Sequence, residues 1–578
     1  MGSQELISTP GSAADGFPED SSDQEEYAEE DSHASGYPPV DHVQNAQKLS
    51  PFWRDRLIEA GMIGSMACYY VIGNYNLGAN GFFHLNPLLS LPFLLIFALL
   101  SWYRLPFAVA LLPMALPYFY LQKPVYSHYQ FSLVEIVLGV CAAVALVQVL
   151  VKQNGWPYRL SWRELRDRLG PFIVPTLIFA LAAAISVVIA YARRDALRAF
   201  RQEVFDPLLF LLLACYCLRT RQDVARLLLA LFGSAFVVAL QGLAQYFLFR
   251  SQLVLEPDGV RRVHALFGSA NNIGLFFDYS LPIGLALLFV SRRQVFGFLH
   301  AWGIRIVVAA ALLPMLLVLY LSQSRGAWVA IALATLFLLL LLLRSRKAVL
   351  IAGLGLLVAL VAGGIIFHRV ILAFLEGHQS VVGISTLTKR LYLWLSALRM
   401  IHDRPWFGFG LENWLCYYSA NAVCSIPALY HHHYWILTIP GTNTLTGLSD
   451  EPTLSHPHNI FLDVWVSMGI FGLLAFIALI FLFFRLFSRI LRTIQAKQGA
   501  ALDYLRWMTP GVGAAMLAGL IQGQVDNAFL APDMAFCFWI LVTALLLLRV
   551  LSGTSWRGRI SPELAAPVTT EETHEATV

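Results

Sequence analysis

The sequence predicts an all-α polytopic membrane protein, with about 12–14 transmembrane helices and one large extracytoplasmic loop. Three observations carry that expectation: 58% hydrophobic residues with only 13% charged, a mean hydropathy of +0.63, and apolar runs of spanning length along almost the whole chain. Soluble domains carry about 25% charged residues, so most of these 578 residues must live in lipid.

Residues 1–50 stand apart, with eleven acidic side chains against one basic, Lys48, among many Ser, Gly and Pro. Such a segment cannot bury enough apolar surface to offset its ordering entropy, and it reads as a disordered acidic cytoplasmic tail. It has no apolar core like that of a signal peptide, so the first membrane helix is expected to direct insertion. Residues 51–367 then read as an N-terminal transmembrane bundle. Its spanning candidates are Leu57–Gly73, Leu88–Tyr103, Leu105–Leu121, Val134–Val151, Pro171–Ala190, Phe205–Leu218, Leu227–Phe249, Asn272–Val290, Ile306–Leu321, Trp328–Leu343 and Val349–Phe367. A long loop, 368–459, separates these from C-terminal transmembrane helices within 460–551, at Ile460–Phe484, Pro510–Val525 and Asp533–Leu551. Residues 552–578 read as a second disordered cytoplasmic tail.

Without the acidic tail the chain carries 39 basic and 25 acidic residues, and this surplus should gather in cytoplasmic loops. With both termini placed inside, Arg54/Arg56, Lys152–Arg168, Arg219–Arg226, Arg292/Arg293, Arg344–Lys347 and Arg485–Lys497 all face the cytoplasm. Arg193, Arg194, Arg198 and Arg201 then fall outside, against the rule. Either a helix before them is miscounted or they serve a purpose there, such as meeting lipid phosphates.

The same topology leaves two outer segments of interest, Arg250–Ala270 and His368–His458. The second is longer than a passive connection needs. Ser385–Met400 has the period of an amphipathic helix, and aromatic residues recur from Trp406 to Trp435, so a folded cap resting on the membrane is expected. Of seven cysteines, Cys68, Cys141, Cys215, Cys217 and Cys537 fall in or beside apolar helices, as small packing residues. Cys416 and Cys424 share the outer loop, where oxidation is permitted, and a disulfide between them stays open. His431-His432-His433 has no carboxylate at ligand spacing, and no metal site is expected.

Ionisable groups at membrane depth need a partner, a wet cavity or a function. Arg261, Arg262, His264, Asn271 and Asn272 gather where an outer loop meets the next helix. Arg325 lies at the junction of two spans. Arg390 and Arg399 lie nine residues apart on the loop helix, on roughly opposite faces. His456, His458 and Asn459 close the long loop as a new helix begins. Each arginine alone also fits a headgroup anchor, and each histidine a helix cap or packed interfacial residue. Together they suit an anionic amphipathic ligand, because the planar guanidinium forks onto phosphate and keeps its charge. A lipid-linked diphosphate meets these terms.

At these positions the chain resembles the O-antigen ligase superfamily of membrane glycosyltransferases, which includes O-antigen polymerases and protein O-oligosaccharyltransferases. Arg262-Val-His-Ala-Leu266 meets the pattern of an arginine, three residues and a leucine. His458-Asn459, nine residues, Gly469 and Gly472 meet the second, in the right order and at the end of the longest outer loop. Ser324-Arg325-Gly326 and the segment from Arg390 to Pro405-Trp-Phe-Gly408-Phe-Gly410 are also similar, and Arg399 followed by ten residues and Gly410 resembles a polymerase pattern. The similarity covers roughly residues 205–550.

The resemblance implies a GT-C-like architecture in the bacterial inner membrane with a periplasmic active site. It implies a glycan donor on undecaprenyl diphosphate and lipid A-core as acceptor, or alternatively a growing glycan or a protein. Arg262, with Arg325 or Arg390, would hold the diphosphate, and His458 would position or deprotonate the acceptor hydroxyl. Arg261, His264, Asn272, Arg399, His456 and Asn459 are expected to bind substrate. Neither cofactor, metal nor nucleic acid is implied, and membrane lipids are the surroundings. A transporter or flippase of an anionic solute or lipid is the reading from another class, though no internal repeat is visible.

Overall fold

The computed structural model describes residues 51–73, 87–120, 122–126, 129–151, 162–255, 261–290, 301–342, 382–418, 434, 436–438, 445–447, 456–496 and 503–556. The expected tail 1–50, the expected span Val349–Phe367, the triple histidine and Cys424 lie outside them. The described helices are α1 (Pro51–Gly73), α2 (Leu91–Tyr103), α3 (Leu105–Leu111), α4 (Leu133–Val151), α5 (Trp162–Leu169), α6 (Ile173–Ile189), α7 (Arg193–Ala199), α8 (Asp206–Cys217) and α9 (Arg221–Phe247). They continue with α10 (Ala270–Leu287), α11 (Ala301–Leu321), α12 (Arg325–Leu342), α13 (Val382–Asp403), α14 (Trp414–Tyr418), α15 (Ile460–Ala496), α16 (Asp503–Gln522) and α17 (Pro532–Ser552). Strands among the described residues form only two-stranded pieces, and the chain is an all-α polytopic membrane protein. Seven of its described helices are long and apolar enough to cross a membrane.

Local sequence explains the departures from plain helix. The second half of the span begun by α3 is a 3-10 helix, Leu112–Tyr118, where Pro113 and Pro117 remove backbone donors. Between α7 and α8 the chain widens into a π-helical turn, Phe200–Phe205. At the start of α9, Thr220 and Asp223 form a capping box, each side chain accepting the other's backbone N–H. The most enclosed span is α17, whose apolar window is 89% buried, which makes it the centre of the bundle. Lipid-facing rows such as Leu146, Val149 and Leu150 on α4 stay exposed.

One end of the bundle is stitched by ion pairs. Arg104 meets Asp55 and Glu59, and Glu59 also binds Arg226 at 2.8 Å. Arg549 bonds Asp167 at 3.0 Å, and Arg168 donates to the Cys215 carbonyl at 2.6 Å. At the other end the turns interlock: Val263 N–H donates to Leu321 O, Ile460 N–H to Gly523 O, and Ala192 N–H to the Asn413 side chain. Arg193, Arg194, Arg198 and Arg201, the arginines that break the charge pattern, belong to this second end. Arg201 has a local partner there, Glu135 at 2.8 Å, and lies 4.8 Å over the Phe131 ring.

The loop helix expected at Ser385–Met400 is α13, and beyond Arg390 it buries Leu393, Ala397, Met400 and Ile401 against Phe409, Trp414, Tyr418 and Val466. The following segment docks backbone to backbone on α15. Phe409 N–H donates to Val466 O at 2.7 Å, Gly410 N–H to Ser467 O, and Ile470 N–H to Pro405 O. Those carbonyls and that N–H are available because α15 breaks at Gly469, with φ 71° and ψ −172°. A Cβ at Gly469 would stand 2.0 Å from Trp406 O, so the glycine is required both by conformation and by the approach of the loop. Cys416 is disulfide-bonded, with its partner outside the described residues, and the other described cysteines are free.

Candidate active site

The start of α15 is anchored by Asn459, whose Oδ1 accepts from Phe461 and Leu462 N–H while its Nδ2 donates to Gln524 O. The cap is therefore Asn459, and His458 is released from that duty. His458 sits at φ 52°, a left-handed conformation that costs a branched or bulky residue energy and recurs at functional sites. Its Nδ1 is 2.8 Å from Asp526 Oδ1, in the turn between α16 and α17. That oxygen also accepts from Asn527 N–H at 3.0 Å. Burial alone would raise the Asp526 pKa; the charge and hydrogen bond of His458, with Arg390 and His456, overcome it and hold the carboxyl below its ordinary range. An anionic Asp526 accepts from Nδ1–H and leaves His458 Nε2 as the ring's basic nitrogen.

His456 packs edge-on to His458, ring centroids 4.8 Å apart. Burial and then the neighbouring His458 push its pKa down to about 3, against the smaller pull of Asp526. His456 is thus a neutral wall beside His458, unsuited to meeting phosphate as a cation.

Both histidines border a cavity of about 480 Å³, which also touches Asp526, Asn272, Ser269, Tyr120, Arg198, Glu203 and Glu412. This lies within the roughly 300–1,000 Å³ range of small-molecule sites. Asn272 belongs to the first turn of α10, whose Ser269 cap accepts from Asn271 N–H. Helix start and histidines therefore share one chamber.

Of the arginines expected to bind substrate, none is among the described residues bordering it. Arg262 pairs through strand Arg261–Arg262 with Val254–Leu255. Its Nε donates to Ser322 O at 2.7 Å and its Nη2 to Asn271 Oδ1 at 2.6 Å, fixing the guanidinium between the α11–α12 turn and the start of α10. Arg390 is close enough to lower the Asp526 pKa. Arg325 is exposed as the first residue of α12, beside Gly326, which faces Val525 and Gln522. Arg261 is exposed. Arg399 turns instead to the Tyr434 carbonyl at 3.1 Å. His264 is held from both sides of its ring: Nδ1 meets Phe267 O at 2.7 Å and Nε2 meets Gln252 O at 2.8 Å. That arrangement pins the loop carrying Arg262.

Sequence reasoning missed Asp526, Glu203 and Glu412, and named Arg198 without giving it a site. The signal for Asp526 was a lone carboxylate in the short turn Gln524–Ala531 between two apolar runs. Among the described residues one group has metal-ligand composition, His456, His458 and Asp526, with ligand atoms within 4.8 Å of one another. A metal on His458 Nδ1 and Asp526 would have to replace the 2.8 Å hydrogen bond between them.

Residues 310–477 match the model of the O-antigen ligase family. That stretch runs from α11 through the loop to the broken helix α15, and so contains Arg325, Arg390, His458 and Gly469. No curated protein matches the chain.

Proposed function

We propose that this chain is a membrane glycosyltransferase that moves a glycan from undecaprenyl diphosphate to lipid A-core at the periplasmic face of the bacterial inner membrane, a reading supported by the match of residues 310–477 to the O-antigen ligase family. The observation that carries this reading is the His458–Asp526 pair at 2.8 Å, opening on a cavity at one end of the bundle. His458 Nε2 takes the proton of the acceptor hydroxyl as its oxygen attacks the anomeric carbon. The bond from that carbon to the diphosphate breaks, and its electron pair leaves on a phosphate oxygen. Asp526 steadies the imidazolium that forms.

Charge building on the leaving diphosphate needs fixed cations. Arg262 is preorganised by its two bonds to Ser322 and Asn271, and the first turn of α10 adds backbone N–H groups. For the second cation, Arg390 is favoured over Arg325 because its field already reaches Asp526. Periplasmic placement is supported by the basic residues Arg54, Arg56, Arg168, Arg219 and Arg226 at the opposite end.

The test is transfer from a lipid-linked donor by purified protein, comparing wild type with His458→Asn. Asn tolerates the left-handed backbone at this position, so the variant removes the base with little strain. Loss of transfer on the order of 10²-fold or more, with donor binding retained, is the expected result. Robust transfer by the variant removes His458 from the chemistry, and solute movement without transfer by wild type points to the transporter class. In a deletion strain, loss of all long glycan on lipid A-core identifies the ligase reaction, and a single remaining repeat identifies a polymerase.

A further inference from the structure

One wall of the cavity takes no part in that chemistry. It is built by the π-helical turn Phe200–Phe205 and by the loop residue Glu412. A π-turn costs regular hydrogen bonding and recurs at functional sites; here it delivers Glu203 to the cavity. Glu203 is 2% exposed, borders the cavity, and has no hydrogen bond or ion pair with any described residue. Glu412, which is exposed, borders the same cavity, also without such a bond, at φ 53°. A smaller adjoining void is bordered by both and by Asp463. Burial pushes the Glu203 carboxyl well above its ordinary range, against the smaller pull of Arg198, and burying such a group without a hydrogen-bond partner is unfavourable. Glu203, enclosed and without a hydrogen bond, and the exposed Glu412 beside it therefore suit a ligand rich in hydroxyl groups.

The diphosphate is not that ligand, since anionic Asp526 borders the same cavity beside these two carboxyls and like charges at close range repel. Among the described residues the only arginine bordering the cavity is Arg198, which pairs with Asp195 at 3.4 Å and whose charge also reaches Glu203 and Glu412. A sugar ring offers O–H donors and no charge. We propose that Glu203 and Glu412 form the acceptor subsite, which grips an uncharged sugar by its hydroxyls and rejects one bearing phosphate. This rests on the transfer reading above, which supplies the acceptor; the subsite sets which acceptor hydroxyl reaches His458.

Two glycolipid probes test it: a lipid A-core ending in a neutral hexose, and the same molecule phosphorylated on that hexose. Equilibrium binding and transfer are measured for wild type, Glu203→Gln and Glu412→Gln at matched protein levels. Wild type should bind the neutral probe at least about tenfold more tightly, the scale of a hydrogen bond to a charged group. Either glutamine variant should lose most of that preference, with the acceptor KM raised about tenfold and the donor KM unmoved. If Glu203→Gln does not accumulate, Glu412→Gln reads the same wall. Unchanged preference in the variants overturns the subsite, as does a change confined to the donor KM. Binding discrimination without any transfer keeps the subsite and overturns the enzymatic reading, and transfer without discrimination does the reverse.

Discussion

Replacing Asp526 by Asn isolates the pair at the centre of the site. The substitution keeps size and the acceptor oxygen that holds Asn527 N–H at 3.0 Å, but removes the negative charge 2.8 Å from His458 Nδ1. If His458 becomes an imidazolium during transfer, that charge stabilises it. Two unit charges about 4 Å apart interact by about 4 kcal/mol at an effective dielectric of 20, and a hydrogen bond to a charged group contributes about 1.5–3 kcal/mol. The lower figures translate to roughly 10- to 150-fold and the upper to about 10³-fold. Single-turnover transfer by Asp526→Asn should therefore fall by about 10²-fold, with donor affinity within about threefold of wild type. The double variant with His458→Gln supplies the control. Residues acting as a unit are non-additive, so the double variant should be no slower than His458→Gln alone. Additive losses, or near-wild-type transfer by Asp526→Asn, would refute the pairing and leave Asp526 as a residue that merely shapes its turn.

Four further outcomes are expected. Arg262→Lys should lose transfer nearly as fully as Arg262→Ala at matched abundance, because lysine keeps the charge but not the fork that spans Ser322 O and Asn271; the same comparison at Arg390 and Arg325 should affect Arg390 more. Chelation by EDTA should leave transfer unchanged if His458 bonds Asp526 rather than a metal, and a loss restored by added zinc would reassign His456, His458 and Asp526 as ligands. Stability should be full above pH 6.5 and fall below it, since unfolded His456 binds its proton near 6.5 and folded His456 only near 3; the slope is at most about 1.4 kcal/mol per pH unit, and His456→Phe should flatten it in thermal melts of detergent-solubilised protein. Reporter fusions after Arg346 and within Gly441–Glu451 should give opposite compartment signals.

The fold was legible because lipid enforces one solution for most of the chain: backbone groups must bond within each segment, so an apolar run becomes a helix. Every apolar run named from the sequence and lying within the described residues has a helical core. What periodicity could not foresee were the places where that rule is broken. The π-turn ahead of α8 passes for ordinary helix in sequence, since Phe200–Phe205 carries neither proline nor glycine. The 3-10 stretch Leu112–Tyr118, by contrast, announces itself through Pro113 and Pro117.

The candidate site was legible where one short segment carries both side chains and geometry, and illegible where the fold has to assemble it. His458, Asn459 and Gly469 lie in one stretch, and its spacing follows from physical needs: a histidine outside the helix, a cap, then a glycine where the loop backbone docks against Val466, Ser467 and Ile470. That docking makes Gly469 a structural counterpart of His458, because the loop it receives carries Glu412 and follows from the helix carrying Arg390. Asp526 stands 68 residues beyond its partner, and Glu203 reaches the same chamber from another part of the chain altogether. Neither has a local pattern, because each is brought in by helix packing rather than by spacing. A substitution at Gly469 should for that reason reach further than its own position. Gly469→Ala places a Cβ 2.0 Å from Trp406 O at a left-handed φ, and the loop must lift before the helix can accept it. Its effect should appear in acceptor KM as well as in thermal stability, through displaced Glu412, while a variant that melted earlier but kept its acceptor KM would separate the loop from the site.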